Sequence, residues 1–331
     1  MKSIIRIFML LVISGLIYQP VLKAQTNGDE IIFKAMNDEL NRSISKLTIN
    51  KYPAPFFIAY QLSDGQSLTI QATLGALRSS NETPARAQNI RLMVGGYSLN
   101  DENFMSGSQS FSSGAYLSLP IDNDYDAIRR AFWIASDQSY KRAIETYDQK
   151  LSALKQQNKT DEEKPDDFSK ITPVSLIMKS TPVKYDKAKW EAFAKDVSGV
   201  FKTSTQIGNS SVIMGLANAC VYVTTSEGTK LRIPLSIACL WINANTQADD
   251  GEVLNDQLLY YALTPEQFPT ADKIKQDIKQ MSDNLSALSK APSFKDSYSG
   301  PVIFEGEAAA ELWAQKLFKN NSLKLIFMCL G

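Results

Sequence analysis

The chain contains no histidine. That absence removes Ser-His-Asp and Cys-His nucleophilic machinery, and it removes histidine-ligated zinc. Cysteine is scarce, with Cys220, Cys239 and Cys329 alone. An odd count does not describe a disulfide framework. Two small core residues is the plainer reading of Cys220 and Cys239; a bridge stays open if their segments pair as a hairpin. Net charge is also absent, since 35 Lys and Arg balance 35 Asp and Glu. That balance argues against a nucleic-acid-binding surface spanning the molecule. No glycine loop of the P-loop or Rossmann kind occurs, and Gly95-Gly96 in "MVGGY" reads as a bulge within a strand.

Long apolar runs are confined to the N-terminus. Lys2 and Arg6 precede an apolar stretch from Ile7 to Ile17, and Leu22-Lys23-Ala24 resembles a cleavage site. This is the pattern of a signal peptide over 1–24, with Gln25 as the mature start. A membrane anchor is the competing reading, but the run is short for a span. The expected location is periplasmic or extracellular, with no membrane attachment after cleavage and no nucleic-acid partner.

What is present is a globular composition, 44% hydrophobic and 21% charged, in 331 residues. Helical spacing of Ile31, Ile32, Met36, Leu40, Ile44 and Leu47 predicts a helix over 29–47. "PFFIAYQLSDGQSLTIQATLGALRSS" alternates like paired strands around a Ser63-Asp64-Gly65 turn, and "RAQNIRLMVGGYSLND" reads as a further strand. A long helix follows over 121–157, with Asp122 and Asp124 as candidate caps. The charged, aperiodic stretch 158–172 is a surface loop. The order then recurs. "DKAKWEAFAKDVSGVFKT" is helical, two strands meet at Ser226-Glu227-Gly228, and a long helix follows "TPEQFP", with Thr264 as candidate cap. The recurrence, 25–157 and 173–290, is a candidate internal duplication. Helices and antiparallel strands in blocks predict an α+β fold of two helix–multistrand–helix units around antiparallel sheets.

Carboxylates are the remaining candidates for chemistry. Asp249-Asp250-Gly251 could hold a cation through oxygens but reads more simply as a polar turn. Glu227 sits on a hairpin turn, where a solvated role is the default. Glu307 and Glu311 lie four apart in "GEAAAELWAQKLF", a strongly helix-prone run. On a helix they project to one side. The preceding "GPVIFEG" reads as a strand, and a strand-to-helix junction leaves backbone N–H groups free for a ligand. A solvated pair of like charges beside an alanine face is the plainer reading.

These segments together carry a family resemblance. "YSGPVIFEGEAAAELWAQ" resembles the start of the C-terminal domain in the TldD/PmbA (modulator-of-gyrase) family, and its secreted branch fits best. "VYVTTSEGT" and "NANTQADDGEVLNDQLLYYALTPEQFP" are similar to the segments that precede it there. The resemblance runs through most of the mature chain to about residue 319. It implies a TldD/PmbA-like N-terminal domain over 25–297 and the start of a C-terminal metallopeptidase-like domain over 298–331, ended early. Active members carry His-Glu-x-x-x-His at this junction, with zinc on the histidines, the glutamate as general base and a later cysteine completing the site. By that correspondence Glu307 takes the general-base place, the catalytic candidate. Gly306 takes the first ligand place, and Glu311 the second, the metal candidate. Gly306 cannot bind metal, and Cys329 matches no family position.

Three functions follow as expectations. The first is a catalytically inactive peptidase homologue that binds a peptide or unfolded polypeptide segment, or pairs with a TldD/PmbA-like chain as a homo- or heterodimer, with no cofactor on this chain. The second is a metallopeptidase using a carboxylate site at Glu307 and Glu311, where calcium or magnesium would suit the oxygen ligands better than zinc. The third is a non-functional fragment.

Overall fold

The structure, a computed structural model, describes residues 19–104, 119–156, 166–179, 183–292 and 297–315. The elements are α1 (Gln19–Lys46), β1 (Pro55–Thr73), β2 (Ala76–Val94), α2 (Tyr125–Gln156), β3 (Ser175–Ile177), α3 (Lys187–Ser198), β4 (Asn209–Thr225), β5 (Lys230–Gln247), β6 (Val253–Ala262), α4 (Ala271–Leu288) and α5 (Gly306–Trp313). The architecture is α+β. The chain divides into two compact units, residues 1–289 and 290–331, and the second contains α5.

One six-stranded sheet organises the first unit, in the order β2-β1-β4-β5. β6 pairs antiparallel with β5 over Ala238–Gln247, and β3 lies parallel to β5 beside Lys230–Arg232. The strands are long. At about 3.3 Å per residue, β1 runs roughly 60 Å. Alternation fixes the buried face. Ile58, Tyr60, Leu62, Leu68, Ile70 and Ala72 of β1 are all buried and all even-numbered, so they share one face of the sheet.

Two helix pairs sit end to end along that face. α1 and α2 pack on Ile58, Tyr60 and Leu62, on the end of β2, and on Cys220 and Tyr222 of β4. α3 and α4 pack on Leu68, Ile70 and Ala72, on Val212, Met214 and Leu216, and on the later half of β5. So β1 and β4 each serve both cores. The order helix–strands–helix occurs twice in sequence, but both sets lie on one sheet. Between the cores the same face turns polar. Arg86 on β2 donates through Nε to Asp64 on β1 at 2.9 Å, and the pair bridges the two strands.

Two expected turns resolve differently. Ser226-Glu227-Gly228 is the β4–β5 connection, with Gly228 at φ +101°. Ser63-Asp64-Gly65 is no turn, because β1 runs straight through it. A side chain at Gly65 would come within 2.2 Å of the Asn218 carbonyl oxygen on β4, so this glycine serves close strand approach. The β1–β2 turn is Leu74-Gly75 instead, at φ +47° and +72°, the geometry of a two-residue type I′ hairpin. Gly95 likewise ends β2 at φ +100° and does not bulge within it.

Helix starts follow their caps. Asp124 accepts from Ala127 N–H at 2.7 Å at the start of α2. Asp186 accepts from Lys189 N–H at 3.1 Å for α3. Thr264 closes a capping box with Gln267, but on a short 3-10 turn, Pro265–Gln267. The long helix α4 takes Thr270 as its cap. Among the described residues no helix is long and apolar enough to cross a membrane.

Candidate functional site

The carboxylates singled out from the sequence fall in the second unit. α5 begins at Gly306, whose φ of +57° lies in the left-handed region that favours glycine. The segment Pro301–Glu305 joins no ladder among the described residues, so the expected strand is absent, and Ile303 is 84% exposed. Glu311 is exposed and accepts from Gln315 Nε2 at 2.9 Å. The side chain of Glu307 lies outside the described residues, as do Cys329 and the loop 157–165.

These residues do not fit the zinc of active TldD/PmbA members. Gly306 has no donor atom, and the Glu311 carboxylate is held by an amide. Among the described residues no three His, Cys, Asp or Glu groups come together to hold a metal. The Asp249-Asp250-Gly251 stretch forms the β5–β6 turn. There Asp250 accepts from Glu252 N–H at 3.1 Å, and Gly251 sits at φ +92°.

Glu227 is not simply solvated. The Tyr97 hydroxyl donates to its carboxylate, and Tyr97 stacks on Phe168 at 6.0 Å, which packs on Phe57 at 5.3 Å. Cys220 is buried against the helices, and burial pushes its thiol up. Cys239 lies on the opposite face of the sheet, in register with Gly215, while Cys220 is in register with Pro234. The hairpin exists, but it holds the two thiols apart on opposite faces, and both are free.

Asp101 is the carboxylate most displaced from its usual range. Burial pushes it up to about 6, against the Val94 N–H that donates to it at 2.7 Å. The same loop is anchored by Lys150, which donates to the Glu102 carbonyl and pairs with Asp167 at 2.5 Å. The role of Asp101 is structural, closing the turn after β2. Because its folded pKa is raised, its stabilisation is fully present below the unfolded value of 3.8 and is lost as pH rises through about 6. Asp101→Asn keeps the acceptor for Val94. It is expected to be more stable than the parent at pH 8 by about 3 kcal/mol, with the difference vanishing below about pH 4. Urea titrations across that range check this; equal midpoints at pH 8 would refute it.

The outward face of the sheet is the largest feature that no sequence motif marked. It carries the odd-numbered positions of β1, β4, β5 and β6, and none of them is Asp, Glu, Lys or Arg. No helix covers it. Over Leu231–Ile237 the usual alternation is inverted. Arg232 points into the helix side and is 5% exposed, while Leu235 and Ile237 on the outer side are each 46% exposed. Sequence periodicity shows that this strand has two faces but not which one is inward.

No family profile and no curated protein matches the sequence. Solved structures of similar fold do exist. One is a Thermotoga maritima protein provisionally described as a modulator of a DNA gyrase, 9% identical, covering 78% of this chain and 50% of that one, TM-score 0.41. Another is TldE from Thermococcus kodakarensis, 9% identical, covering 75% and 47%, TM-score 0.42. A third is a Bacteroides thetaiotaomicron protein with the same provisional description as the first, 9% identical, covering 77% and 49%, TM-score 0.46. These neighbours are of the kind that the sequence resemblance names. The chain matches about half the length of each.

Proposed function

We propose that this chain is an exported, non-catalytic partner subunit of the TldD/PmbA kind, and that it associates with a second copy of itself through the outward face of its sheet. The family part rests on the sequence resemblance, in which Gly306 and Glu311 stand at ligand positions. Export rests on the leader-like residues 1–24. Cleavage after Ala24 would leave Asp29 and Ile32, the first anchors of α1 in the fold, in place.

The observation that carries the association is the inverted stretch of β5. Leu231, Ile233, Leu235 and Ile237, with Val221 and Val223 beside them on β4, form an apolar strip among the outward positions of β1, β4, β5 and β6, none of which is charged; the outward charge on β2, Arg91, is paired with Glu102. A monomer would leave this strip in water. A second copy meets it without burying an unpaired charge and without like-charge repulsion. The strip and its flanking strands cover about 450 Å² at ordinary strand spacing, over half of the roughly 800 Å² per partner of a standard interface. Two such faces can pack as an aligned sandwich with the amide-rich ends of the strands overhanging.

Sedimentation of the purified mature chain tests the reading. The expected result is a dimer at micromolar concentration. Leu235→Asp with Ile237→Asp should yield a folded monomer whose melting temperature no longer rises with protein concentration, because both side chains are half exposed in the single chain. Cys239 should react slowly with a thiol reagent in the dimer and quickly in the double variant. A monomeric parent with a fast Cys239 would overturn the association. Stoichiometric bound zinc with peptidase activity would overturn the non-catalytic reading.

A further inference from the structure

Beyond the apolar strip, the outward face ends in a cleft of about 410 Å³ lined mainly by amide side chains. Asn209 and Ser211 on β4, Asn243 and Asn245 on β5, and Asn255 and Gln257 on β6 surround it, with Trp241 at its border. Alternation places these side chains on the outer face in adjacent registers. Among the described residues, the side-chain amides of Asn209, Asn245 and Asn255 make no hydrogen bond. Trp241 is 42% exposed, and its ring is oriented by an N–H bond to Gln257 Oε1 at 3.1 Å.

We propose that this cleft binds a neutral saccharide. Each free amide offers a donor and an acceptor side by side, which matches vicinal hydroxyls that must both donate and accept. An oriented indole supplies a flat apolar surface for the C–H face of a sugar ring. The volume lies within the range of small-ligand sites, about 300–1,000 Å³. The one acidic residue in the lining, Asp256, is turned to its own backbone and accepts from Gln257 N–H at 2.8 Å. No cation lines the cleft, so a phosphate or carboxylate finds no counter-charge. A polypeptide strand fits less well. Beneath the cleft β5 is paired on both edges, by β4 and β6, and a strand added at the outer edge of β6 would extend the sheet beside the cleft without filling it. Because the cleft lies past Trp241, away from Leu231–Ile237, it stays open when the strip is covered, and its test does not depend on the association.

The test uses the full mature chain and a panel of neutral hexasaccharides, namely maltohexaose, cellohexaose, mannohexaose and chitohexaose. Binding is followed by calorimetry and by tryptophan fluorescence. The expected result is saturable binding of at least one member with a change in emission. Trp241→Ala and the pair Asn209→Ala with Asn255→Ala should each weaken that binding about tenfold or more. These positions are partly or fully exposed, and unchanged circular-dichroism melting confirms that the variants fold. Trp241→Phe separates the signal of this residue from the other three tryptophans. Absence of saturable binding across the panel overturns the proposal. So does binding that the alanine variants leave unchanged, or tighter binding of an uncharged alanine–serine peptide, which would assign the cleft to polypeptide.

Discussion

Phe132→Ala is expected to destabilise the first unit by about 3–5 kcal/mol and still to unfold it in one transition. Phe132 is fully buried and stacks on Tyr60, with ring centroids 4.5 Å apart. Truncation removes that contact and leaves a cavity that long strands on a continuous sheet cannot collapse to fill. It also loosens a buried polar cluster, in which the Tyr60 hydroxyl contacts Ser136 Oγ at 2.5 Å and donates to Ser43 Oγ at 3.1 Å. Burial holds that phenol up to about 12, so it stays neutral and keeps its proton to donate. The single transition is the sharper part of the expectation. Phe132 belongs to the α1–α2 core and Trp190 to the α3–α4 core, yet β1 and β4 contribute side chains to both. Losing one core therefore removes the support of the other. Urea unfolding followed by far-ultraviolet circular dichroism and by tryptophan emission should give coincident curves with a lowered midpoint. Two separated transitions would show that the halves fold independently.

Arg232→Met should cost about 2–3 kcal/mol, the loss expected when one partner of a largely buried ion pair is removed. The guanidinium pairs with Asp29 at 3.1 Å and donates to the Met178 carbonyl at 2.7 Å. Its side chain is 6% exposed against 23% for Asp29, so water offsets only part of the loss. Asp29 also accepts from the Tyr222 hydroxyl, and burial together with that bond holds the phenol well above its ordinary value. The cluster thus ties α1, the end of β4 and the start of β5 together. Asp29→Asn alone should cost less, and the double variant less than the two losses added, because each single change leaves the other group unpaired. Chemical denaturation of the three variants measures the cycle; strictly additive losses would mean that the pair does not interact.

Much of this architecture could be read from the residues. The period-two runs in "PFFIAYQLS" and "SSVIMGLANACVYVTT" became strands, and Asp124 and the Ser226–Gly228 turn fell where their chemistry requires. Gly65 shows where local reading stops. A Ser-Asp-Gly triplet is a turn signal on its own, and only the neighbouring strand's backbone, too close for any side chain, makes it a mid-strand glycine. Thr264 is similar, since its capping box is real but closes a 3-10 turn, and Thr270 begins the helix. Glu307 and Glu311 stood out because their spacing is local, whereas the Asn209–Asn255 cleft gathers residues from three strands that no spacing rule connects.

The sequence by itself determined the elements of this protein, because alternation, helical spacing and caps are short-range and each is set by a few neighbouring side chains. It also determined that histidine chemistry is absent. Only the tertiary structure decided which side of each strand is inward. Period two is symmetric between the faces, so the choice in β5 belongs to the Asp29–Arg232 pair and to the helices packed on the even-numbered side. That choice leaves Leu235, Ile237 and Trp241 facing outward, and both proposed interactions of this chain follow from it.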